Sequence, residues 1–106
     1  MARLQINWTD SALASLDSLF AYIAKDSPFY AQSFIQQLIR SVDRLSNFPK
    51  SGRRVAEANG ENVREIIFQG YRIIYRLIDA QRIDILSVVH GRRDLRRIKN
   101  QPWKAD

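Results

Sequence analysis

"REIIFQGYRIIYRL", Arg64 to Leu77, is the stretch whose reading decides how this chain folds. Gln69-Gly70 stands at its centre, and glycine tolerates the positive φ that a two-residue hairpin turn demands. With the turn there, Phe68 pairs with Tyr71, Ile67 with Arg72, Glu65 with Ile74 and Val63 with Arg76. Side chains alternate across a strand, so this register sorts them onto two faces. One face carries Arg64, Ile66, Phe68, Tyr71, Ile73, Tyr75 and Leu77. The other carries Val63, Glu65, Ile67, Arg72, Ile74, Arg76 and Ile78.

A third run, Arg82 to Val89, follows after Ala80-Gln81 and completes an antiparallel meander. Continued alternation adds Leu86 and Val88 to the first face, and Ile83, Ile85, Ser87 and Val89 to the second. Upstream, Arg3 to Trp8 alternates in the manner of a short opening strand. Thr9 or Asp10 caps a helix whose apolar stripe is Ala12, Leu13, Leu16, Leu19, Phe20, Ile23 and Ala24. Ser27-Pro28 restarts the chain as N-cap and first helical residue. Its stripe, Ala31, Phe34, Ile35, Leu38, Ile39, Val42 and Leu45, gives a second helix antiparallel to the first. A polar loop runs from Phe48 to about Asn62, a short helix is expected over 94–99, and the last residues read as loose. The order strand, helix pair, three strands predicts one α+β domain over residues 1–106, with both helices on one face of a mainly antiparallel sheet.

With the helices spent on the first face, the second is left with isoleucines around Glu65, Arg72 and Arg76. An apolar patch set with charge marks an interaction surface. A partner would then bury Ile74 and Ile85. The competing reading is a Glu65–Arg72 cross-strand ion pair with the C-terminal segment folded back over the isoleucines.

Composition narrows the function classes. The 106 residues hold 17 basic and 11 acidic side chains, a net charge of +6. Thirteen of the basic residues are arginine, and residues 51–106 carry +5 of the excess. Arginine's planar fork suits phosphate or carboxylate, so an anionic partner is expected. With no cysteine there is no disulfide and no thiolate metal site. No run approaches the ~18 apolar residues that span a bilayer, so no membrane is expected and a cytoplasmic home is. No phosphate-cradling glycine loop, nucleophile motif or metal-spaced cluster is present, so neither a cofactor nor a metal is expected. His90, the one histidine, lies beside Gly91, Arg92 and Arg93 in "VVHGRRDLRR", where it could act as general acid or base or simply tie down a strand end. Arginines 53, 54, 64, 72, 76, 92, 93, 96 and 97 form a field that suits RNA phosphates or an acidic protein segment equally.

Four segments in this order and spacing, "DSPFYAQSFIQQL", "FPKSGRRV", "VREIIFQGYRIIYRL" and "IDILSVVHGRRDL", resemble the RelE/ParE superfamily of bacterial toxins from type II toxin–antitoxin (plasmid stabilisation) modules. The resemblance covers nearly the whole chain. It implies a toxin with this helix-hairpin-on-sheet fold, neutralised by a cognate antitoxin that wraps the sheet and helices. RelE-like members cut mRNA in the ribosomal A site. By that match Arg72 and Arg92 correspond to functional arginines, with His90 or Tyr71 standing in for the usual acid/base tyrosine, whose position holds Ile98. Two lysines of those members fall at Val63 and Glu65. ParE-like members inhibit DNA gyrase, and the spacing from His90 to Asp94-Leu95 resembles theirs. The resemblance therefore implies a growth inhibitor nearer ParE, directed at gyrase, with ribosome-dependent mRNA cleavage as the alternative. A third reading is an inert member that only stabilises an antitoxin complex. For either target or for the antitoxin, the expected binding residues are Arg64, Glu65, Arg72, Ile74, Arg76, Ile85 and Arg93.

Overall fold

Thr9 starts the first helix and fixes it to the sheet at the same point. Its Oγ1 accepts the Ala12 N–H at 3.1 Å, as an N-cap should, and donates to the Ile85 carbonyl at 2.7 Å. In the computed structural model, which describes residues 3–58, 60, 62–97 and 101–104, α1 spans Asp10–Ala24 and α2 spans Pro28–Val42. Ser27 caps α2 through the Tyr30 N–H at 3.1 Å, with Pro28 in the first turn as expected. A 3-10 turn, Asp43–Ser46, extends α2 and buries Leu45.

Five strands form one sheet: β1 Gln5–Trp8, β2 Arg53–Arg54, β3 Val63–Phe68, β4 Tyr71–Leu77 and β5 Arg82–His90, in spatial order β1-β5-β4-β3-β2. The hairpin has the register that its turn dictates, from Phe68 opposite Tyr71 to Val63 opposite Arg76. Gln69 and Gly70 both hold positive φ, 45° and 85°, the geometry that matches the twist of the flanking strands. β1 lies parallel to β5 at one edge, and β2 pairs antiparallel with β3 at the other. The sheet is therefore mixed: the helix hairpin carries the chain from β1 to β2 at the far edge, and the antiparallel strands return it until β5 lies parallel beside β1.

β5 departs from simple alternation. Ile74 faces Ser87 while Tyr75 faces Ile85, so Leu86 is an extra residue between them. A bulge of this kind shifts every side chain beyond it by one place. Ile83 and Ile85 thus lie under the helices, Leu86 lies on the opposite face, and Ser87 Oγ meets Ser15 Oγ of α1, reversing the expectation for all four. Val88 and Val89 keep their expected sides.

Two cores result. The helix-side core joins Leu16, Leu19, Phe34 and Leu38 to Ile66, Ile73, Tyr75 and Ile85. The other face is not open. Val55 and Ala58 from the loop between β2 and β3, together with Leu95 and Trp103 from the C-terminal segment, pack over Val63, Ile74 and Leu86. The tail does not cover this face by itself; it shares the work with that loop. The expected C-terminal helix is a 3-10 turn at Leu95–Arg97, and residues 98–100 lie outside the described ones. Of the expected loose end, Pro102–Lys104 makes another such turn, and 105–106 are not described. Among the described residues no helix is long and apolar enough to cross a membrane.

Candidate functional site: an arginine held between two carboxylates

Arg72 points from the middle of β4 onto the second face, and its guanidinium is almost wholly engaged. Nε donates to Glu65 Oε1 at 2.6 Å, and Nη1 and Nη2 grip the two oxygens of Glu57 at 2.8 Å each. Nη1 also donates to the Arg93 carbonyl at 2.9 Å. Four of its five N–H groups are accounted for. The side chain is only 6% exposed, and those of its partners Glu57 and Glu65 are 9% and 3%. Charge buried to this degree persists only when it is paired and hydrogen-bonded, and here both conditions hold.

Each carboxylate has a second anchor. Glu65 Oε2 accepts from Arg53 Nε at 2.7 Å across the β2–β3 pair. Glu57 Oε2 accepts the Leu95 N–H at 3.2 Å. The Arg72 fork, helped by that amide and opposed by burial, holds the Glu57 carboxyl down at about 2, against an ordinary 4.5. The same pairing raises Arg72 above an already high value, with Glu57 as the first cause. The network thus ties β3, β4, the β2–β3 loop and the C-terminal segment together. The ion-pair reading of Glu65 and Arg72 holds, with Glu57 as a third member that the sequence did not reveal. Its one signal was position: a lone carboxylate in "VAEA", two residues after Val55 and one before Ala58, both of which pack into the second core.

The remaining nominated residues are scattered. Ile74 is fully buried beneath the loop and tail. Ile85 is fully buried in the helix-side core, so it is not on the second face at all. Neither is left for a partner to cover. Arg76 donates to the Trp103 carbonyl and holds the tail down. Arg64 turns to the helix side and donates to the Gly52 carbonyl at 2.9 Å. Beside it the buried Tyr75 hydroxyl donates to the Pro49 carbonyl at 2.7 Å and accepts the Gly52 N–H at 3.0 Å. Burial pushes that phenol's pKa up. A Cβ on Gly52 would stand 2.5 Å from the Tyr75 oxygen, so this close approach needs glycine.

His90 is exposed at the end of β5, its ring edge-on to Tyr71 at 5.6 Å. Its Nδ1 accepts the Arg92 N–H at 3.2 Å. Tyr71 pairs with His90 and Arg72 with Val89, so alternation sends His90 to the helix side and Arg72 to the other. The side chains of Arg92 and Arg93 are exposed. The structure therefore does not bring Arg72 and His90 to one site. Among the described residues no three histidine or acidic side chains gather as a metal would require.

Among solved structures, the ParDE toxin–antitoxin system of P. aeruginosa superposes with a TM-score of 0.68 over 83% of this chain and 96% of that one, at 21% identity. That likeness is one of fold: the architecture is RelE/ParE-like. In sequence, a putative toxin, Y4kP, from Sinorhizobium fredii (strain NBRC 101917 / NGR234) is 36% identical over 93 residues, 86% of this chain and 92% of its own. The toxin RelE2 of Caulobacter vibrioides (strain ATCC 19089 / CIP 103742 / CB 15) is 32% identical over 89 residues, 84% and 97% respectively. The model of the ParE toxin of the type II toxin–antitoxin system parDE matches residues 6–95, and the chain belongs to that family.

Proposed function

We propose that this toxin inhibits growth by binding DNA gyrase in the cytoplasm, and that a cognate antitoxin holds it inactive. The observation that carries this reading is the state of Arg72. A phosphate-gripping arginine must offer its fork to the ligand, yet this one spends it on Glu57 and Glu65. His90, the candidate acid or base for strand cleavage, stands on the other side of the sheet. General acid–base work needs the proton carrier within hydrogen-bond reach of the reacting group. A protein that acts by binding needs no such constellation. The family match to a ParE toxin supports the same choice.

The test is to induce the toxin in cells and measure plasmid supercoiling beside mRNA cleavage on translating ribosomes. Loss of supercoiling with intact mRNA is expected. Cleaved mRNA with normal supercoiling would replace this reading with ribosome-dependent endoribonuclease activity. An antitoxin partner is tested by co-expressing the neighbouring reading frame, which should restore growth and co-purify.

A further inference from the structure

A recess lies between α1 and the end of β5, and Arg93 is the one residue it shares with the bonds of Arg72. It is an open groove of about 640 Å³, within the ~300–1,000 Å³ usual for small-molecule sites. Its floor and one wall are small: Ser15 and Ser18 on α1 face Ser87 on β5. Ser15 Oγ lies 3.2 Å from Ser87 Oγ and also bonds the Ser11 carbonyl at 3.0 Å, which fixes that wall. The opposite wall is Tyr71, braced edge-on by Phe34 at 5.8 Å and by His90 at 5.6 Å.

Charge in the recess runs one way. Among the described residues no aspartate or glutamate lines it, while Arg93 and His90 do. The Nδ1 of His90 accepts the Arg92 amide, so a neutral ring carries its proton on Nε2 and presents a donor there. Tyr22, two-thirds exposed at 66%, and Tyr71 supply aromatic surface. A fork, an imidazole N–H, several hydroxyls and two aromatic rings match the parts of a nucleotide: phosphate, sugar hydroxyls and base.

The geometry points to a nucleotide-binding site in this groove, with Arg93 and His90 on the phosphate, the serine hydroxyls on the sugar, and Tyr71 and Tyr22 beside the base. The occupant is a phosphate-bearing aromatic base, either free or as one unit of a strand. The site is independent of the gyrase reading, and each stands if the other falls.

The chain holds a single histidine, so the His90 ring protons give unique NMR signals. AMP titrated into the purified protein should shift them saturably, and at lower concentration than inorganic phosphate does. Arg93→Gln, a change at an exposed side chain, should weaken AMP about tenfold or more, the value of one charge-assisted hydrogen bond. Ser15→Leu should abolish saturation by filling the groove; where it disturbs the fold, Arg93→Gln decides alone. The dinucleotide ApA separates the two sources, since tighter binding than AMP assigns the site to a strand and weaker binding to a free nucleotide. The proposal is overturned if neither ligand shifts His90 saturably at millimolar concentration, or if Arg93→Gln leaves the affinity unchanged. Tighter binding of a hexaglutamate peptide than of either ligand also overturns it.

Discussion

The two faces of the sheet are buried by different means. On the helix side, two amphipathic helices lay regular stripes over Ile66, Ile73 and Ile85, and the side chains of that core are uncharged. On the other side, irregular chain covers Val63, Ile74 and Leu86, and a buried arginine with two carboxylates stands at the margin. Helices satisfy their own backbone groups and can cover a face at little polar cost. A loop and a tail cannot, and their amides and carbonyls need partners. Arg72 and Glu57 supply them, binding the Arg93 carbonyl and the Leu95 N–H. The network is best understood as the fastening of the second cover, and its charge is spent on the fold.

That contrast breaks most visibly at Arg72. Arg72→Ala removes the cation and leaves Glu57 and Glu65 buried and uncompensated, which should cost ~3–5 kcal/mol in urea unfolding. Arg40→Ala on the exposed face of α2 should change stability by under about 0.5 kcal/mol. Equal effects would show that Arg72 is not structural, and would return it to the list of ligand-binding groups. Any loss of toxicity on Arg72→Ala must accordingly be read beside its loss of fold.

Next in size is the cover itself. Leu95→Ala truncates a fully buried side chain, and Leu→Ala in cores costs about 2–5 kcal/mol. Irregular chain can settle into the space, so the lower half of that range is expected here. Leu38→Ala, buried between helix and sheet, should fall in the upper half. If Leu95→Ala costs nothing, the C-terminal segment is not a cover in solution.

How far the sequence reveals this difference depends on how local each signal is. Thr9 and Ser27-Pro28 mark helix starts within a few residues, and Gln69-Gly70 sets a register by itself. The helix-side core follows almost entirely from those two facts. The bulge at Leu86 leaves no comparable mark, because "DILSVV" alternates acceptably in either register, and so Ile83 and Ile85 land on the wrong face. The second core joins Val55 and Ala58 to Leu95 and Trp103 across about forty residues, with no periodicity to announce it. Glu57 is harder still. It is one acidic residue in a polar loop, and only the folded chain shows the arginine fork it faces. The arginines were visible as a field; which of them are spent internally was not.

Acid should loosen the second face before the first. The Glu57 carboxyl is depressed from 4.5 to about 2 in the folded chain. A depressed carboxyl contributes its full stabilisation above its ordinary value and loses it as pH falls toward the folded one. Stability from this group should therefore be flat through neutral pH and decline between about 4.5 and 2. Glu57→Gln should flatten that decline while lowering stability at pH 7. An unchanged acid limb in the variant would remove Glu57 from the fastening.

The smallest effect is expected where the two faces share a cause. Gln69 sits at φ 45°, a region asparagine occupies more readily than glutamine. Gln69→Asn should therefore stabilise the chain by ~0.5 kcal/mol, seen as a higher urea midpoint at unchanged slope. The turn aligns β3 with β4 and so sets both faces at once. Hydrogen exchange at Ile73, beneath the helices, and at Ile74, beneath the loop and tail, should slow by the same factor. Slowing at Ile73 alone would mean that the second cover opens independently of the hairpin, and that the ion network fastens a separately unfolding unit.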